Sequence, residues 1–117
     1  PYVMLGFNVI AADTDEEAAL LATSKQQAFV SLRSGRPMRL PPPMADYLSR
    51  IGPQEHALLA QVLSCSAIGS PATVQAGLQS FIDRTGADEL MIVAQCFDHA
   101  ASLRSYEITA QVRSALR

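Results

Sequence analysis

Two stretches of the chain are apolar at positions that would point to both faces of a β-strand. Leu90 to Ala94 is apolar throughout, and Tyr2 to Ala11 is rich in valine, isoleucine and aromatic residues. A strand with one solvated face alternates apolar and polar residues, whereas a continuous apolar run is typical of parallel sheets covered on both faces. The pattern predicts two buried strands, over Tyr2–Ala11 and Asp88–Gln95.

The first of these strands is followed by a predicted helix. Thr14 and Glu17 have the spacing of a capping box, and the acidic residues beside them favour the positive end of a helix dipole. The helix is expected to run to about Ser34, because Gly35 is a typical stop. Its predicted inward face consists of Ala18, Leu21, Ala22, Ala28, Phe29 and Leu32.

Two further helices flank the second strand. The one before it begins with Ser70 as the N-cap and Pro71 as the first helical residue, and ends at Gly86. The one after it is capped by Asp98. The predicted inward residues are Val74, Leu78, Phe81 and Ile82 in the earlier helix, and Leu103, Tyr106, Ala110 and Leu116 in the later one.

The segment between the helix that ends near Ser34 and the helix capped by Ser70 contains three consecutive prolines. Arg36 to Pro43 is predicted to be extended, because proline cannot continue a helix or a central strand. A short helix over Ala45–Arg50 precedes a longer helix that begins at Pro53. The apolar residues expected to hold this longer helix in place are Leu58, Leu59, Val62 and Leu63.

This order of elements predicts an α/β fold of two βα units with a helical, proline-rich insertion between the strands. Two parallel strands alone would leave unpaired edges and an incompletely covered apolar face. We therefore interpret residues 1–117 as a single segment of a larger parallel structure, most simply the last part of a (β/α)8 TIM barrel.

The composition of the chain argues against several classes of function. The chain has 117 residues, of which 49% are hydrophobic, and a formal net charge of −2. No basic run suggests nucleic acid, no secretory signal is present, and no apolar run reaches the roughly 20 residues that span a bilayer. Cys65 and Cys96 lack metal spacing and fit a reducing, cytoplasmic setting. Because the chain begins at Pro1, we expect a processed product or a piece of a longer protein.

Polar residues near the predicted strand ends are the candidates for chemistry. Asp98 and His99 follow the second strand, and Arg104 lies one turn into the last helix. They could line a cavity at the mouth of a barrel, or they could be a helix cap, a surface residue and the partner of Glu107. Cys96 is interpreted as core packing. No motif identifies a catalytic residue or a metal site.

Five motifs in order carry a resemblance to a known family: NVIAADTDEEA, LPPP, IGSPATV, TGADELMIV and DHAASLRSYE. Together they resemble the C-terminal part of the bacterial luciferase-like flavin monooxygenases, and in particular oxidoreductases of that superfamily with no assigned substrate. The resemblance extends over nearly the whole chain. Each motif alone is weak, since Gly-Ser-Pro before a helix is ordinary capping, but the five in this order are specific.

The resemblance implies that Tyr2–Ala11 and Asp88–Gln95 are the seventh and eighth strands of a TIM barrel. It also implies reduced FMN, or a deazaflavin, bound at the mouth together with a small organic substrate, and a separate flavin reductase. Asp98, His99 and Arg104 would then be cofactor-binding residues of the mouth. Much of the family's catalytic machinery comes from earlier strands, so this chain alone is expected to bind no flavin and to be inactive. Relatives often form homo-oligomers through barrel helices.

Two alternatives remain open at the level of sequence. The chain could be a non-catalytic α/β module that assembles with itself, each copy supplying strands to a shared sheet. It could also bind a phosphate at the helix N-terminus formed by Ser70 and Pro71, because such termini attract anions.

Overall fold

The computed structural model of the chain describes residues 2–116, apart from the side chains of Val62 and Leu63. The inward packing predicted for those two side chains therefore lies outside the described residues. The elements, in chain order, are β1 (Met4–Ala11), α1 (Asp15–Arg33), α2 (Tyr47–Arg50), α3 (Pro53–Leu63), β2 (Ser66–Gly69), α4 (Pro71–Thr85), β3 (Glu89–Val93) and α5 (His99–Arg113).

The described strands form one parallel sheet in the order β2-β1-β3. The two predicted strands are adjacent, with Met4 opposite Glu89 and Asn8 opposite Val93. The insertion contains a third strand that the sequence analysis missed, β2, which pairs with the carboxyl half of β1 from Asn8 to Ala11. The prediction of two βα units is therefore wrong, since residues 2–116 contain three. Four residues that include a serine and a glycine are too short a run to give a strand signal.

Most of the core lies on the face of the sheet that is covered by α4 and α5. Phe7 and Phe81 are in contact there, with ring centroids 4.6 Å apart. The buried residues of this core are Phe7, Val9, Ala11, Ala67, Val74, Leu78, Phe81, Ile108 and Val112. The inward stripe predicted for α4 is confirmed, since Val74, Leu78 and Phe81 are buried and Ile82 is partly buried.

The opposite face of the sheet is only partly covered. There α1 contacts β1 and β2, where Ile10, Ala22 and Cys96 form a second, smaller core. Met91 and Val93 of β3 remain 56% and 41% exposed. Within the described part of the chain, this strand is therefore apolar on both faces but not buried on both, as expected for a sheet that the chain alone covers incompletely.

The predicted caps at Thr14 and Asp98 are confirmed, whereas Ser70 stands at the predicted N-cap position of α4 without a side-chain capping hydrogen bond. The backbone N–H of Glu17 donates to Thr14 Oγ1 at 3.1 Å, and the N–H of Ala101 donates to Asp98 Oδ2 at 3.2 Å. Gly86 ends α4 with a φ of 67°, a left-handed conformation that glycine adopts without strain.

The predicted inward face of the last helix is confirmed only at Leu116, which packs partly buried against the main core. Leu103 and Tyr106 are 56% and 43% exposed, whereas the buried positions of α5 are Ser105, Ile108 and Val112. The inward face includes Ser105, whose hydroxyl group bonds to the end of a strand. An assignment from the hydrophobic residues alone therefore misplaced this face. In α1, Ala18 and Ala22 are buried as predicted, but Leu32 is 59% exposed.

The proline-rich segment is held along α1 by two hydrogen bonds. Gln27 Nε2 donates to the carbonyl oxygen of Pro42 at 3.1 Å, and the N–H of Met44 donates to Thr23 Oγ1 at 2.9 Å. The predicted short helix is confirmed but begins at Tyr47 rather than at Ala45. The segment therefore packs against the helix that precedes it.

The only lysine of the chain lies between α1 and the sheet. Lys25 Nζ donates to Asn8 Oδ1 at 2.8 Å, and burial lowers the pKa of this lysine, an effect that the nearby Cys96 partly opposes. At pH values below the lowered pKa, Lys25 is charged in the folded state. The partly buried ammonium group is solvated less well there than in the unfolded chain, where water surrounds it. The free energy of unfolding should therefore rise as the pH increases through that lowered pKa towards the ordinary value of 10.5.

Replacing this lysine with an apolar residue should remove the effect. Lys25→Met is expected to raise the stability at pH 7 and to flatten the rise that the wild type shows as the pH increases towards 10.5. Denaturant unfolding at several pH values measures both changes. A rise of equal slope in the wild type and the variant would contradict the assignment.

Candidate functional site at the carboxyl ends of the strands

Because the strands are parallel, their carboxyl ends lie along one edge of the sheet. In α/β structures this edge is where ligands bind. Here it consists of the residues after β1, the turn from β2 into α4, and the segment between β3 and α5. These segments are residues 12–14, 69–70 and 94–98.

Three hydroxyl groups of α5 fix two of these strand ends. Ser105 Oγ accepts a hydrogen bond from the N–H of Ala11 and donates to the carbonyl oxygen of the same residue, both at 2.9 Å, and it is fully buried. Ser102 Oγ accepts from the N–H of Cys96 at 3.1 Å, and the Tyr106 hydroxyl accepts from the N–H of Ala94 at 3.0 Å. The polar residues of the motif SLRSYE therefore position the ends of β1 and β3.

A carboxylate joins the turn after β2 to the start of α1. Asp15 Oδ1 accepts from the N–H of Ser70 at 2.7 Å and from the Thr73 hydroxyl at 2.8 Å. These bonds, the backbone one first, hold the pKa of Asp15 below its usual value. A negative charge already contacts this turn, so the structure disfavours the phosphate site considered for Ser70 and Pro71.

Arg104 lies at the same edge but is engaged with two carboxylates. Its Nη2 and Nε atoms lie 2.6 Å and 3.2 Å from Asp13 Oδ1, and Nη1 pairs with Glu107. The bond to Asp13 is the main cause of a raised pKa for the guanidinium. Pairing with Glu107 was one of the two interpretations of the sequence and is confirmed, whereas the contact with Asp13, 91 positions away, was not foreseen.

The other two candidate residues lie side by side at the start of α5. Asp98 is the N-cap, and its carboxylate is used by the N–H of Ala101. His99 is the first helical residue and is exposed. Among the described residues, the side chain of His99 makes no hydrogen bond or ion pair. The structure thus brings Asp98, His99 and Arg104 to one edge, but only the histidine is free to meet a ligand.

Other chemical features of the described chain are few. A cavity of about 30 Å³ lies between α1 and the sheet, lined by residues that include Lys25, Gln26 and Ile68, and its volume suits water rather than a cofactor. Cys96 is buried, as predicted for core packing, and Cys65 is exposed. Within residues 2–116, no group of histidine, cysteine and acidic side chains could hold a metal ion. None of the described helices is long and apolar enough to cross a membrane.

Comparison with known proteins identifies the sequence. Over 116 residues the chain is 45% identical to a luciferase-like monooxygenase of Escherichia coli K12. This chain belongs to a luciferase-like protein. The luciferase-like match includes 99% of the chain but only 35% of the relative, so the chain spans about a third of the length of the curated relatives it matches. The uncharacterized protein YvbT of Bacillus subtilis gives a similar result, with 44% identity over 96% of this chain and 33% of the relative.

A solved structure has the same backbone arrangement. The crystal structure of apo-MsnO8 matches the luciferase-like chain with a TM-score of 0.83 and 28% identity, over 97% of this chain and 35% of that one. No family model matches the sequence. The resemblance read from the five motifs is therefore confirmed, and the arrangement of the three strands recurs within a larger protein.

Proposed function

We propose that the chain is the C-terminal part of a reduced-flavin-dependent, luciferase-like monooxygenase, and that it is inactive alone. The observation that carries the proposal is the 45% identity, over nearly the whole chain, to a luciferase-like monooxygenase three times its length. When bound, the flavin would supply the electrons for a reaction with molecular oxygen on a small organic substrate. The proposal includes a separate flavin reductase, a cytoplasmic location and a homo-oligomeric state.

Within that proposal, β1 and β3 are the seventh and eighth strands of a TIM barrel. Their adjacent, parallel pairing and the helices α4 and α5 on one face are what consecutive barrel strands require. In a barrel all helices lie outside, whereas α1 lies on the other face of this sheet. We therefore assign β2 and α1 to an insertion. This insertion pairs with the carboxyl half of β1, at the end of the barrel where the mouth lies.

The residues at the strand ends do not form a flavin site by themselves. A flavin phosphate needs an uncompensated cation or a free helix terminus, but Arg104 is paired with Asp13 and Glu107, and Asp15 contacts the turn before α4. The phosphate contacts are therefore assigned to the rest of the protein. The role of this chain is to hold its strand ends in place through Ser102, Ser105 and Tyr106, and to present His99 at the mouth.

The test is a chimera in which this chain replaces the matched third of the E. coli relative. Anaerobic titration with reduced FMN should show binding to the chimera and none to the isolated chain. A chimera that folds but does not bind reduced FMN would contradict the proposed function, and so would tight binding by the isolated chain.

His99 is the candidate residue with a free side chain, so its replacement should affect flavin binding or turnover in the chimera. His99→Ala is expected to weaken reduced FMN binding, or to lower turnover, by about tenfold, a loss of about 1.4 kcal/mol. Asp98→Asn keeps a capping side chain and is the matched control, with little effect on either quantity. Identical titrations and turnover for all three proteins would remove His99 from the site.

A further inference from the structure

The small cavity between α1 and the sheet has a charged group in its wall. Its lining includes Ile10 and Ile68 of the strands, and Lys25, Gln26 and Phe29 of α1. The cavity lies on the face of the sheet opposite α4 and α5. A single water molecule needs at least about 10–15 Å³, so a volume of about 30 Å³ has room for about two or three water-sized groups.

The ammonium group of Lys25 has no counter-ion in the described part of the chain. Its one hydrogen-bond partner there is the neutral side-chain oxygen of Asn8, and both ion pairs found within residues 2–116 belong to Arg104. Burial lowers the pKa of this lysine, as expected where no anion stabilises the charge. An ammonium group has three N–H donors, and charges that are withdrawn from water are usually paired. The cation therefore favours an anion beside it.

A buried hydrogen-bond acceptor belongs to the next residue in the wall of the same cavity. Gln26 Oε1 is shielded from solvent and has no hydrogen-bond partner among the described residues. Nearly all buried polar groups of native proteins have a partner, so an unpartnered oxygen indicates a bound water or ligand. Because an amide oxygen only accepts, the missing partner must donate. A ligand that meets both groups therefore carries negative charge on oxygen and also an O–H donor.

We propose that this cavity binds a small oxyanion that retains one O–H group, with hydrogencarbonate as the type. One of its three oxygens would accept from the Lys25 ammonium group, and its O–H would donate to Gln26 Oε1. The apolar side chains of Ile10, Phe29 and Ile68 lower the local dielectric constant, which strengthens the attraction between the ion and the ammonium group. The inference does not depend on flavin binding, because residues of this chain form the cavity.

The single lysine of the chain makes the binding directly observable by NMR, because isotope-labelled lysine gives one side-chain signal. At mildly alkaline pH, hydrogencarbonate should shift the Cε signal of Lys25 in a saturable way. Nitrate is the matched probe, since it is planar and has the same charge and the same number of heavy atoms, but lacks the O–H donor. Hydrogencarbonate should bind about fivefold more tightly than nitrate, the factor typical of one hydrogen bond.

Two glutamine variants test the role of the buried acceptor. Gln26→Met keeps the length of the side chain but removes the amide oxygen, so the affinities for the two ions should become equal. Gln27→Met is the control, because Gln27 bonds to Pro42 in the proline-rich segment, and the fivefold preference should remain. Equal binding of both ions by the wild type, or no saturable shift with either, would overturn the proposal. A separate, slowly exchanging signal would show a carbamate on the amine and would also overturn it.

The chimera with the E. coli relative provides a second measurement. Because a ligand that binds only the folded state stabilises it, hydrogencarbonate should raise the melting temperature of the chimera more than the same concentration of nitrate does. Lys25→Met should abolish this difference. A difference that persists in Lys25→Met would assign the ion to another site and overturn the proposal. Titration with reduced FMN is a separate measurement, so failure of either proposal is distinguishable from failure of the other.

Discussion

Phe81→Ala is expected to lower the free energy of unfolding by about 3–5 kcal/mol, the range for removing a buried aromatic side chain. Phe81 is 5% exposed and lies at the centre of the main core, where its ring contacts that of Phe7. The Arg84 guanidinium also lies 5.4 Å from the centre of its ring. The substitution removes all of these contacts at once and leaves a cavity between α4 and the sheet.

Phe97→Ala is the control for this prediction. Phe97 follows β3 and is 51% exposed, so its truncation in the isolated chain should change the free energy of unfolding by no more than about 0.5 kcal/mol. Denaturant unfolding at one fixed protein concentration compares the two variants. Similar losses for both would mean that the core does not lie where α4 meets β1.

Gly69→Ala is the second substitution with a large expected effect. A methyl group at this position would lie 2.5 Å from Thr73 Cγ2 and 2.7 Å from Asp15 Oδ1. Overpacking of this kind costs about 1–3 kcal/mol. To relieve it, Thr73 or Asp15 must move, which breaks the hydrogen bonds that join the turn after β2 to α1. The pKa of Asp15 should then return towards its ordinary value.

Gly6→Ala separates this close approach from the general cost of losing a glycine. No atom beyond its chain neighbours lies within 4 Å of a methyl group added at Gly6. The variant should keep the wild-type stability and an unchanged pKa of Asp15. Unfolding curves and a carboxylate titration by NMR measure the two quantities. An unchanged Asp15 titration in Gly69→Ala would contradict the contact.

Sequence patterns predicted those elements whose signals are local. The capping pair at Thr14 and Glu17, the Pro71 start of α4 and the Gly86 stop each depend on a few neighbouring residues, and each is confirmed. The strand β2 gave no such signal, because its four residues are held by pairing with Asn8–Ala11, more than 50 positions away. Only the tertiary arrangement makes that segment a strand.

The candidate site was likewise predicted only in part from the sequence. The carboxyl ends of the two predicted strands were expected to meet, and they do. The inward roles of Ser102 and Ser105 were missed, since a serine facing the core reads as solvent-exposed until its partner on another strand is known. One signal was present in the sequence: two serines three residues apart lie on one helix face, directly after a strand.

Amide hydrogen exchange at Leu90 and Ile92 tests most directly the claim that β3 is an inner strand of a larger sheet. In the isolated chain at low concentration these two amides should exchange rapidly, while Glu89, whose N–H is bonded to Val3, exchanges more slowly. In the chimera all three should be protected, with exchange slowed by orders of magnitude at Leu90 and Ile92. Rapid exchange of these two amides in a folded chimera, or full protection in a monomer of the chain alone, would contradict the account.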